Sequence, residues 1–88
     1  MKKNSHSYNL IKYLLDYNSI TSFEAFTKLY NARLSATVYI LRKKYGLDID
    51  SEPIHIKNIY GNKTCFHKFT IKEKEKYKIK SILANITN

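Results

Sequence analysis

"ITSFEAFTKLYNARLSATVYILRKKYG", residues 20–46, contains two helix starts and two helix stops, and their spacing decides the fold. Thr21 followed three residues later by Glu24 is a capping box. The threonine hydroxyl accepts from the Glu24 amide while the carboxylate reaches back, and Ile20 can staple onto Ala25. A short helix runs from here to about Tyr30, with Phe23, Phe26 and Leu29 as its expected buried residues. Asn31 is expected to break it, because Asn tolerates the left-handed conformation that ends helices when Gly is absent. The next helix starts within two residues, at about Ala32, and continues to Tyr45, where Gly46 ends it. On a helical wheel Leu34, Val38, Leu41 and Tyr45 share one narrow sector, while Ala32, Ala36, Tyr39, Ile40 and Lys43 lie roughly opposite.

Upstream, "SHSYNLIKYLLDY" (5–17) places Leu10, Ile11, Leu14 and Leu15 on one side of an amphipathic helix, with Ser5 or Ser7 as N-cap. Downstream of Gly46 the period changes. "PIHIKNIYGNKTCFHKFTI" (53–71) alternates on either side of Gly61-Asn62, a two-residue turn suited to a β-hairpin. Pairing Tyr60 with Lys63 makes Ile54 face Phe69 and Ile56 face His67, with residues 48–53 leading into the first arm. Residues 72–86 return to helical spacing, with Ile79, Ile82, Leu83 and Ile86 on one stripe beneath a lysine-rich first half. The expected fold is α+β: a winged helix-turn-helix of three helices, a two-stranded hairpin wing and a C-terminal helix. It forms one domain over residues 1–88, with its core in 5–71 and the last helix in 72–86. Leu10, Leu14, Phe26, Leu34, Val38, Leu41, Ile54 and Phe69 are expected to share one core.

Composition narrows the partners. The 88 residues carry 16 Lys and Arg against 7 Asp and Glu, a formal net charge of +9. Such a balance points to a polyanion, either nucleic acid or an anionic membrane surface. Hydrophobic content of 43% indicates a folded chain and not a basic disordered tail. One modest core leaves little room for a catalytic cleft, so no enzyme activity and no small-molecule substrate are expected. Cys65 is the sole cysteine and has no intrachain disulfide partner. No basic-then-apolar leader and no run of about 18 apolar residues occurs, and a cytoplasmic protein with no membrane association is expected.

Helix, helix–turn–helix, then hairpin is the order of a winged helix. The chain also resembles, over roughly residues 8–71, the small phage and prophage helix-turn-helix domain family. The likeness is carried by "ITSFEAF", by "ARLSATVYILRKKYGLDI", and by the hairpin end with Phe66, Lys68, Phe69 and Ile71. It differs in lacking Gly between the second and third helices and in adding the C-terminal helix. The resemblance implies sequence-specific binding of double-stranded DNA, as a transcriptional regulator or a recombination accessory factor.

In that reading the third helix enters the major groove, which is about 12 Å wide and admits one helix. Arg33 is the candidate for a bidentate guanine contact, Ser35 bonds a base or phosphate, and the Ala36 methyl packs on a thymine methyl. Tyr39 and Lys43 are long enough for backbone phosphates. The plainer alternative is a solvated basic helix face. It is weakened by the capped helix just before, by the small residues at the close-approach positions, and by five cations against the single Glu24 over residues 21–47. Lys57, Asn62, Lys63 and Lys68 put hairpin cations over the minor groove or its phosphates, unless they only solubilise an edge hairpin. Thr21 and Ser22 open a helix whose free amides suit a phosphate.

Neither metal nor cofactor is expected. His6, His55 and His67 show no ligand spacing, and the alternation places His55 and His67 on opposite faces. Cys65 reads as a partly buried small hydrophobe, and Asp48, Asp50 and Glu52 as an acidic edge kept away from DNA. Ile79, Ile82, Leu83 and Ile86 must be buried, either against the first helix or against the same stripe of a second chain. A homodimer is the favoured choice, because paired half-sites multiply discrimination. Two other functions stay open: a small phage-encoded inhibitor binding a host protein through its basic surface, and a membrane-surface role. The latter is disfavoured by a short apolar stripe without Trp.

Overall fold

The computed structural model describes residues 2–86, so Met1 and residues 87–88 of the expected 1–88 domain lie outside the described part. Ser5 caps α1 (His6–Tyr17), its side-chain oxygen accepting from the Tyr8 amide at 3.2 Å. Leu10, Ile11 and Leu14 are completely buried. Asn18 closes the helix in the left-handed conformation, φ 70, with its amide donating to the Leu14 carbonyl at 2.8 Å.

The chain then forms a strand not foreseen in the sequence, β1 (Ser19–Thr21), before α2 (Ser22–Leu29). Three residues are too few to show a period, and the strand exists because a partner is in place. Ile20 pairs with Phe69 of β3 (Lys63–Ile71), whose other side pairs with β2 (Ile49–Lys57). The sheet is thus three-stranded and antiparallel, in the order β1-β3-β2, where two strands were expected. Pro53 has no N–H to donate and sits on β2, an edge strand, where none is required.

The expected capping box is present. Thr21 Oγ1 accepts from the Glu24 amide at 3.1 Å, and the Thr21 amide donates to Glu24 Oε1 at 3.0 Å. The Tyr13 hydroxyl donates to Glu24 Oε2 at 3.1 Å, tying α2 to α1. The buried side of α2 differs from expectation, since Ala25 is in the core with Leu29 packed beside it, while Phe23 is 66% and Phe26 59% exposed. This short helix is apolar on two sides, and Ile20 and the Tyr13–Glu24 bond settle which side faces inward. The turn also differs from expectation. Tyr30, not Asn31, adopts the left-handed conformation at φ 53.

α3 (Leu34–Lys44) buries Leu34, Val38 and Leu41 as its periodicity indicates, and Gly46 follows at φ 65 with the Leu47 amide reaching back to the Leu41 carbonyl at 3.3 Å. These residues join α1, Ile20, Ala25, Leu47, Ile49, Phe69, Ile71 and Ile79 in one core. Each fully buried Leu or Ile stabilises the fold by about 1.5–3 kcal/mol.

The hairpin corrects a second expectation. Lys57 pairs with Lys63, leaving a five-residue loop, 58–62, in place of a two-residue turn at Gly61-Asn62. Ile54 therefore faces Phe66, and Phe69 faces Ser51. A register shift of three exchanges the two faces. Ile54 is only half-buried on the side away from Phe69, Ile56 is exposed, and the core takes Ile49, Phe69 and Ile71 instead. His55 and His67 consequently share one face, with Cys65 directly opposite His55 and exposed, not on opposite faces with a partly buried thiol.

After a 3-10 turn (Glu73–Glu75), α4 (Lys76–Ala84) packs back against α1. Ile79 is fully buried, Ile82 and Leu83 are half-buried against the core, and Ile86 is half-buried just past the helix end. The stripe assigned to a dimer is thus covered mainly within its own chain. A buried carboxylate at the joint, Glu75, accepts from the Asp48 amide at 3.1 Å and pairs with Lys78 at 3.2 Å.

Desolvation acts to raise the pKa of Glu24, but the Thr21 amide, the Tyr13 hydroxyl and nearby Lys68 outweigh it and hold the carboxyl below its ordinary value of 4.5. A folded value below the unfolded one means stability that is complete above about pH 4.5 and lost as pH falls through the folded value. Glu24→Gln is expected to lower the urea midpoint at neutral pH, with the deficit shrinking as pH is taken progressively below 4.5. A deficit that stays constant as pH falls would exclude this role.

Candidate nucleic-acid interface

The start of α3 is held by a side chain from the turn before it. Asn31, buried, accepts from the Arg33 amide through Oδ1 at 2.9 Å and donates through Nδ2 to Thr37 Oγ1 at 3.0 Å; the Thr37 hydroxyl also reaches the Arg33 carbonyl at 3.3 Å. A backbone bond from the Asn31 amide to the Ala25 carbonyl, 2.9 Å, joins this unit to α2. The backbone of Arg33 is therefore fixed, while its side chain is exposed and makes no hydrogen bond or ion pair among the described residues.

With Leu34, Thr37, Val38 and Leu41 inward, the outer face carries Ser35, Ala36, Tyr39, Ile40 and Lys43. Lys43 stands 5.9 Å from the centre of the Tyr39 ring, a cation–π contact that orients both. Ser22, at the start of α2, lines one shallow hollow with Arg33, Ser35 and Ala36. The two helix starts thus open onto a common surface. Thr21 is different, because its hydroxyl is engaged as the cap.

Arg42 is a cation of α3 that belongs to the fold. Its Nε donates to the Ile49 carbonyl at 3.2 Å, a second guanidinium N–H donates to the same oxygen, and the group lies over the Phe69 ring. Most of the acids are engaged elsewhere. Lys72 pairs with Asp48 at 2.8 Å and with Asp50 at 3.8 Å, Lys76 with Glu73, and Lys78 with Glu75. The shared hydrogen bond lowers the Asp48 pKa and raises that of Lys72. Among the described residues no acid pairs with Arg33, Lys43, Lys57 or Lys63. The unneutralised charge therefore includes the outer face of α3 and the far end of the hairpin.

At that far end Lys57 and Lys63 face one another, and Asn62 lies in the loop between them. Lys68 is not with them. It sits mid-sheet, half-buried, between Thr21 on β1 and Glu52 on β2. The structure thus divides the expected hairpin set into a tip group and an isolated lysine. Among the described residues no group of three His, Cys, Asp or Glu is arranged to hold a metal ion, and no helix is long and apolar enough to cross a membrane.

Sequence reasoning set Ile40 on the outer face of the helix but gave it no role; it is exposed beside Ala36 and Arg33. It passed over Tyr30, exposed at the turn, and Ile59 and Tyr60 in the hairpin loop. For the last two a signal existed: two large apolar residues flanked by Asn and Gly in "NIYGN" (58–62). No protein-family model, curated protein or solved structure matches the chain.

Proposed function

We propose that this chain is a winged helix-turn-helix protein that binds double-stranded DNA in a sequence-specific manner, with α3 in the major groove and the hairpin as the wing. The α+β architecture and its element order are compatible with that fold. The observation that carries the reading is the common surface of Ser22, Arg33, Ser35 and Ala36, a short rigid approach surface with an unpaired guanidinium beside it. Small residues there let backbone come close to a groove, and Ala36 with Ile40 offers apolar contact to thymine methyls. Tyr39 and Lys43, one turn further on, fit the flanking phosphates. Regulation of transcription and assistance to recombination both use such binding.

The test is affinity of the purified chain for arbitrary duplex DNA across salt. Each neutralised phosphate contributes about −0.9 to the slope of log K against log salt, so four contacts from Arg33, Lys43, Lys57 and Lys63 give a slope of about −3.6. A slope near zero, or no binding at low salt, would remove the reading. Selection of sites from random duplexes then reports whether bases are read and whether half-sites are paired.

A second reading, an inhibitor of a host protein, is favoured by one observation. Phe23 and Phe26 are exposed together on α2, with Tyr30 at its end. Under that reading the salt dependence for DNA is flat, and the interaction is lost on replacing these aromatics by serine.

A further inference from the structure

The tip of the hairpin holds two apolar side chains that the fold does not use. Ile59 is 90% exposed and Tyr60 82%, adjacent in a loop whose geometry asks only for small or polar residues. The loop is organised around Asn58. Its amide donates to the Asn62 carbonyl at 2.9 Å, its carbonyl accepts from the Gly61 amide at 3.0 Å, and its side-chain oxygen accepts from the amides of Tyr60 and Asn62 at 2.9 and 3.0 Å. Gly61 supplies the positive φ of 79 that the turn requires. The tip is therefore shaped by backbone and Asn58, and Ile59 and Tyr60 are left outward with no structural task. Directly below them Lys57 and Lys63 face each other across the strands.

We propose that this tip is a wedge for the minor groove of duplex DNA. Lys57 and Lys63 hold phosphates beside the groove while Ile59 and Tyr60 enter at a base step, unstack it and bend the duplex. The proposal rests on the DNA-binding reading of α3. An apolar pair flanked by two unneutralised cations matches a polyanion whose interior is stacked bases. The minor groove is only about 6 Å wide, which suits side chains at a hairpin tip and excludes a helix. Each hairpin strand has nine residues, which sets the tip well away from the core, and the molecule is elongated, 48 Å along its long axis against 24 and 22 Å across. Apolar wedges in this groove kink DNA by about 20–90°, most readily at flexible pyrimidine–purine steps.

The experiment uses the full chain and a duplex selected from a random pool, with dyes at its two ends and 2-aminopurine at the step under the wing. Wild-type protein is expected to raise energy transfer between the ends and to brighten 2-aminopurine as the step opens. The double variant Ile59→Ser/Tyr60→Ser is expected to keep the salt slope and an affinity within about tenfold of wild type, while losing both optical changes. Lys57→Ala/Lys63→Ala is expected to flatten the salt slope by about two. Wild-type binding without bending or unstacking, or bending that survives in the double serine variant, overturns the wedge and leaves DNA binding by α3 intact. Failure of wild type to bind any duplex overturns both. Sedimentation with phosphatidylglycerol vesicles that depends on Ile59 and Tyr60, together with an unbent duplex, assigns the tip to a lipid surface and overturns the wedge. An absent 2-aminopurine signal with bound wild-type protein overturns the wedge without any variant, and a signal that is lost in the double serine variant supports it.

Discussion

Truncation of Leu41 to alanine is expected to destabilise the chain by about 2–5 kcal/mol, measured as a fall in the urea midpoint at unchanged slope. Leu41 has no exposed surface and lies on the inward stripe of α3, within the core cluster that includes α1, Ile49 and Phe69. Removing three heavy atoms there loses their transfer free energy and leaves a cavity that neighbouring elements fill only in part. A domain of this size has about 5–15 kcal/mol in total, so the variant approaches the point at which unfolded chains are populated at 37 °C. A cost below about 1 kcal/mol would mean that α3 does not sit on this core.

Arg33→Ala is expected to act on binding and not on stability. The side chain makes no hydrogen bond or ion pair among the described residues, and the Asn31 bond is to the Arg33 backbone amide, which alanine retains. Loss of a bidentate contact to guanine costs about 1–3 kcal/mol, roughly a five- to 150-fold fall in affinity for the selected site, and relaxes preference at one base pair. Lys63→Ala, by contrast, is expected to weaken all duplexes alike and to reduce the salt slope by about one. Competition binding with single-base variants of the selected site separates the two. Unchanged affinity and unchanged preference for Arg33→Ala would place base reading elsewhere on the surface.

The outer face of α3 was legible because a helix of 11 residues repeats its inward stripe three times, and the phase of that stripe names the opposite side without ambiguity. The capping box was legible because it is a contact between residues three apart. The hairpin tip was not. A glycine dipeptide suggests a two-residue turn, but the Asn58 side chain gathers two amides and makes a longer loop, and the register shift that follows exposes Ile56 and leaves Ile54 half-buried. Arg42 could not be told from its neighbours in "RKK" (42–44), because its role depends on the Ile49 carbonyl seven residues away.

By itself, the sequence determined what local forces determine here: where α1 and α2 begin, the inward stripes of α1 and α3, the change to extended structure after Gly46, and an excess of positive charge. α3 begins at Leu34, two residues after the expected Ala32, because Asn31 holds the Arg33 amide in the turn. Only the tertiary structure decided which side of α2 is buried, that Ser19–Thr21 is a strand, and that α4 folds onto α1. It also decided which cations are left unpaired. Two of these are competitions between surfaces of similar chemistry: Phe26 against Ala25 and Leu29, Arg33 against Arg42. Hydrophobicity and charge are the same on both sides of such a choice, and what separates them is the partner brought near by residues distant in the chain.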